Sequence, residues 1–144
     1  MLTPFDDYPC HQIPSTFDHA ESGDPRWFDR YWFLVYLPDE QLTVASGLSF
    51  YKNMNVADGF ASMVVDKKQR NLRVSRRLRP NFNIGVGPLR YEVIEGLQSI
   101  RLVLDENEYG ISFDLTWDGA FPPQEEAHNF IRVGGMVKED YQRF

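Results

Sequence analysis

From Glu108 to Trp117 apolar and polar positions alternate: Tyr109, Ile111, Phe113, Leu115 and Trp117 fall on one parity, Gly110, Ser112, Asp114 and Thr116 on the other. A period of two belongs to a strand with one face against a core. Upstream, Gln98, Ile100, Leu102 and Leu104 keep the same rhythm, and the polar run Asp105, Glu106, Asn107 between the two segments reads as a tight hairpin connection. A central β-hairpin is the expectation.

Tyr31 to Leu37 is apolar or aromatic at every position and closes at Pro38, Asp39 and Glu40. So short a continuous run predicts a strand covered on both faces. Leu42 to Tyr51 returns to alternation, with Leu42, Val44, Leu48 and Phe50 on one side and the small residues Thr43, Ala45, Gly47 and Ser49 on the other. The two runs make a first hairpin, and the small-residue surface leaves room for a ligand or a packed neighbour. After a loop over Lys52 to Gly59, strands are predicted over 60–66, 71–78, 89–93, 97–104 and 108–121, with a strong turn signal at Pro80 to Gly87. A last hairpin is expected about Gly134 and Gly135, and no stretch carries a helical period. Consecutive antiparallel hairpins leave exposed edges unless the sheet closes, so an antiparallel β-barrel or strongly curved sheet is the predicted architecture.

Before the first strand, Pro4, Pro9, Pro14 and Pro25 break any period, yet Phe5, Tyr8, Ile13, Phe17, Trp27 and Phe28 make the segment too apolar for a solvated tail. Residues 1–29 are therefore read as an arm packing on the barrel and residues 30–144 as the barrel domain. Composition agrees: aromatics are 15% of the 144 residues, a bias toward pleated, half-buried surfaces. A net charge of −6 argues against nucleic acid and anionic membrane surfaces as partners. The single Cys10 excludes an internal disulfide and fits a reducing compartment. With no signal-like N-terminus and no apolar run long enough to span a bilayer, a soluble, cytoplasmic protein is expected.

A wider likeness is carried by several short stretches: Asp7-Tyr8-Pro9 with His11 and Gln12, Trp27 to Phe33, Asn71 to Arg77, Gly87-Pro88-Leu89, Leu104 to Asn107 and Phe113 to Trp117. Together they resemble the N-terminal half of uncharacterised bacterial proteins. These are similar, more remotely, to the hydroxyneurosporene synthase (carotenoid hydratase) and AttH-like group, whose fold is a pair of lipocalin-like (calycin-like) β-barrels. The resemblance spans nearly the whole chain. It implies a lipocalin-like barrel, a second barrel-forming half beyond Phe144, and an apolar ligand of lipid or isoprenoid type, and it supplies no catalytic residue.

Candidate chemistry starts with the aromatic strand faces. Trp32, Tyr36, Phe50, Phe113 and Trp117 either line an internal pocket or fill a solid core, because parity does not say which. Asp114 interrupts an apolar strand; enclosed in a barrel its carboxyl would hold a raised pKa and could protonate an alkene, whereas on an outer face it simply meets water. Arg73 and Arg77 share a parity and either clamp an anionic head group, pair with Asp114 or Glu92 across strands, or protect a solvated edge. His11, beside Asp7, Tyr8 and Cys10, is a candidate general base at a barrel mouth. Histidines 11, 19 and 128 lack the spacing of a zinc site, and no phosphate loop or nucleophile elbow is present, so no metal and no cofactor are expected.

Three roles follow: binding or enclosing an apolar small molecule; a cofactor-free hydratase or cyclase using Asp114 or His11; or a scaffold that docks a second barrel or a second copy of itself, a homodimer.

Overall fold

The computed structural model describes residues 3–8, 23–37, 39, 41–80, 83–125, 129–133 and 136–140, the last two segments as backbone. Among these described residues ten strands run in order: β1 (Asp29–Leu37), β2 (Leu42–Tyr51), β3 (Val56–Val65), β4 (Lys68–Arg77), β5 (Gly85–Val86), β6 (Leu89–Glu95), β7 (Ser99–Leu104), β8 (Phe113–Asp118), β9 (Asn129–Val133) and β10 (Met136–Asp140). They form two four-stranded antiparallel sheets, β1-β2-β3-β4 and β5-β6-β7-β8, and the separate ribbon β9-β10. Among the described residues the only helical element is a single 3-10 turn, Pro4–Asp7.

Each sheet turns one parity inward. Leu48, Phe50, Ala57, Ala61 and Leu72 from the first sheet meet Leu89, Tyr91, Ile100, Leu102 and Leu104 from the second in one buried cluster. The size of the apolar side chains chooses this face, since burying them removes the most apolar area from water. A polar tie crosses the cluster, where the Ser46 hydroxyl on β2 and the Tyr91 hydroxyl on β6 lie 2.6 Å apart, both buried. The expected alternation of β2 holds, with Val44, Leu48 and Phe50 buried and the small residues opposite.

Four expectations change. β1 is covered on one face only: Tyr31, Phe33 and Val35 turn inward while Trp32, Leu34 and Tyr36 turn out and remain 58%, 46% and 66% exposed. A uniformly apolar run hides its own parity. Second, β3 begins at Val56, inside the expected loop. Gly59 belongs to the strand because it meets the core, where a Cβ built on it would stand 2.6 Å from Leu48 Cδ2 and 3.1 Å from Leu89 Cδ2. Third, the last strand of the central hairpin begins only at Phe113, since Gly110 takes a φ of +64° and turns the chain.

Fourth, among the described residues no hydrogen-bonded ladder joins the two sheets into a closed barrel. At the β4–β5 side a side chain bridges the connection between the strands. Arg76 donates to the carbonyls of Gly85, Leu78 and Asn83 at 2.8, 3.1 and 2.8 Å, and β5 is two residues long. At the other side β1 and β8 stand apart across a cleft.

Candidate functional site

The cleft lies where β1 fails to meet β7 and β8. Its volume is about 440 Å³, and its walls come from Asp29, Arg30, Tyr31, Trp32 and Phe33 on β1, Ser99 and Ile100 on β7, Trp117 on β8, and Leu97, Gln98, Gly119, Phe121 and Pro123 in the adjoining turns. That volume is in the range of small-molecule sites. Asp6, Asp7 and Tyr8 line it as well.

The aromatic wall is fixed from behind. Tyr91 meets Tyr31 and Phe33 edge to face at 5.6 and 5.5 Å, and Phe33 tilts against Trp117 at 5.4 Å. These pairings hold the rings of β1 against the second sheet without any backbone hydrogen bond between β1 and β8. Trp117 and Phe121 stay 42% and 84% exposed beside the opening. Large apolar rings left in water beside a concavity are what a binding site would present.

The N-terminal turn is pinned to residues that line the cleft. Asp6 accepts hydrogen bonds from the backbone N–H and the hydroxyl of Thr3, at 2.6 and 3.1 Å, which closes the turn. The Tyr31 hydroxyl donates to the Asp7 carbonyl, and the Leu97 N–H donates to the Asp7 carboxylate. Gly96 lies so close to Pro4 that no side chain fits at position 96. Burial pushes the Tyr31 phenol well above its usual pKa, and the charges of Asp7 and Asp29 push it further. It is a neutral donor at any physiological pH.

Of the residues singled out from sequence, Trp32 and Trp117 line this cleft. Phe50 does not: it is 1% exposed and belongs to the solid core, and Phe113 packs against that core. Tyr36 stands on the outer face of β1. Arg73 and Arg77 also face outward on β4 and are exposed. Arg73 borders a shallow surface basin of about 480 Å³ with Asp58, Phe60 and Ser75. In that basin burial raises the Asp58 carboxyl and a Ser49 hydrogen bond partly offsets it.

Asp114 lies on the outer face of the second sheet, away from the cleft. Arg101 grips it through two hydrogen bonds of 2.8 and 2.6 Å and also reaches Glu92 at 3.2 Å. The Arg101 guanidinium holds the Asp114 carboxyl below the usual carboxylate range. A carboxyl so placed lacks the raised pKa that protonating an alkene requires. His11 lies outside the described residues.

Asp29, Tyr31, Phe33, Ile100 and Phe121 were not singled out in the sequence. Tyr31 and Phe33 share an unbroken apolar run with their outward neighbours, and Ile100 and Phe121 meet them only through the packing of the two sheets. The charge ladder around Asp114 did leave a signal: Arg90, Glu92, Arg101 and Asp114 take like parity once the β6-β7-β8 register is written out. Among the described residues no three His, Cys, Asp or Glu side chains gather as a metal site, and no helix is long and apolar enough to cross a membrane.

Fold and cleft together define a class: an all-β protein of two packed, four-stranded antiparallel sheets that part along one edge to leave an aromatic-walled opening. Within that class the chain belongs to DUF8625, a family of unknown function whose profile matches residues 2–144. Comparison with curated proteins and with solved structures finds no match in either.

Proposed function

We propose that this protein binds an apolar small molecule, of lipid or isoprenoid type, in the cleft between β1 and the β7-β8 edge, and that its two sheets act as an opened relative of the lipocalin-like barrel. The observation that carries this reading is the cleft itself, about 440 Å³ with Phe33, Ile100, Trp117 and Phe121 on its walls. These four side chains give the cleft an apolar wall against which a ligand chain would lie. Binding takes precedence over hydratase or cyclase chemistry, because Asp114 stands outside the cleft in a charged pair.

The test uses Nile red, a neutral apolar dye, titrated into the full chain. Saturable binding is expected, and Trp117→Ala should weaken it about tenfold, a larger loss than the one its lost packing on Phe33 causes in stability. Equal loss of affinity and stability would make Trp117 a packing residue, and non-saturable uptake would end the reading.

A second reading has its own observation, the outward row Trp32, Leu34 and Tyr36 on edge strand β1. An apolar edge of this kind can pair with a second copy of the chain. Native mass spectrometry separates the two roles: a monomer with a retained apolar adduct supports ligand binding, and a bare dimer supports the scaffold.

A further inference from the structure

The cleft carries a sign as well as a shape. Among the described residues that line it, the ionisable acids are Asp6, Asp7 and Asp29, against the single guanidinium of Arg30. Arg30 is on the outward parity of β1, with its Cζ 5.4 Å from the centroid of the Phe28 ring, while Asp29 is on the inward parity with Tyr31 and Phe33. Two carboxylates, Asp7 and Asp29, bear on the same phenol, Tyr31, and all three line the cavity.

The aromatic walls add a second, independent preference. Phe33 and Trp117 meet at an angle of 59°, and Trp117 keeps part of its ring open beside the cavity. Ring faces carry the negative end of the aromatic quadrupole, so a tilted pair beside carboxylates is a setting that attracts positive charge. The whole chain, at −6, draws cations and repels anions. An anionic lipid such as a fatty acid would place its carboxylate against like charges.

We infer that the ligand of this cleft is an amphiphilic cation, an alkyl or aryl body bearing a protonated amine or quaternary ammonium group. Its body lies against Phe33, Ile100 and Trp117 and its charged end points toward Asp29. This assignment rests on the reading of the cleft as a ligand site.

Calorimetric titration of the full chain with dodecyltrimethylammonium and dodecanoate below their micelle concentrations, and with dodecanol below its solubility limit, tests both levels. The ammonium compound should bind about tenfold tighter than the carboxylate, with a margin that narrows as salt is added. Asp29→Asn should weaken the ammonium compound severalfold and spare dodecanol. Glu106→Gln, which removes a charge from the opposite end of the β7-β8 hairpin, should change neither, and an equal loss in that variant would show general attraction to an acidic surface and overturn the assignment. Equal affinity for all three compounds, or tighter binding of dodecanoate, overturns the cation and leaves the apolar site standing. No binding by any of the three overturns both. The comparison on the wild-type chain needs no variant to fold.

Discussion

Lys52 shows how far a residue can depart from its usual place. It is 1% exposed, with Nζ 5.8 Å from the centroid of the Trp27 ring, and its carbonyl accepts a hydrogen bond from Arg79 at 3.0 Å. Burial first, and the Arg79 charge second, pull the Lys52 ammonium down to about 8. In the unfolded chain the same group titrates near its ordinary value, about 10.4. Between those two values the unfolded state binds more protons than the folded state, so stability rises with pH across that window. Urea unfolding at pH 7, 8.5 and 10 should show the wild type gaining stability relative to Lys52→Met, with the gap changing mainly above about pH 8. Parallel curves would mean that Lys52 titrates like a surface lysine. Sequence placed Lys52 at the start of a loop and gave no sign of burial, because its neighbours Trp27 and Arg79 are distant from it in the chain.

At the scale of elements, the outer face of the first sheet shows what its small residues accommodate. Gly47 pairs with Trp32 on one side and Phe60 on the other, and the Phe60 ring covers the glycine. A Cβ at position 47 would stand 2.7 Å from that ring and 2.9 Å from the Tyr31 carbonyl oxygen. The expected packed neighbour is therefore Phe60, an aromatic ring rescuing a strand glycine. Gly47→Ala should destabilise by about 1–3 kcal/mol, the range for overpacking a filled site, and should disturb Trp32 next to it. Equilibrium unfolding measures the first and tryptophan fluorescence the second; an unchanged midpoint would show that Phe60 swings aside freely. The row of small residues was legible in sequence as a surface with space. That Phe60 fills it depends on the β2-β3 register, which no single strand reveals.

Across the whole molecule, one core joins the two sheets. The Ser46–Tyr91 tie and the rings of Tyr31, Phe33, Tyr91 and Trp117 span them without a shared ladder. Their unfolding should accordingly be a single transition by far-ultraviolet dichroism and by tryptophan emission. Tyr91→Phe keeps the ring and removes the tie, and Ser46 still donates to the Phe60 carbonyl at 3.2 Å. It should cost about 1 kcal/mol and preserve that single transition. Two separated transitions, in the variant or the wild type, would show that the sheets fold independently.

The same division marks what the sequence by itself determined. Period-two alternation decided the all-β class, most strand positions and the division of β2, β7 and β8 into an apolar and a polar or small-residue face, because parity is a local property. Turn residues located the connections for the same local reason. Tertiary structure decided the inward face of β1, the place of Gly59 within a strand, the ion pair that holds Asp114 outside the cleft, and the parting of β1 from β8. Each of these depends on which distant strands meet. The cleft exists because β1 and β8 share no ladder, so only the packed sheets bring Asp29, Phe33 and Trp117 to one opening.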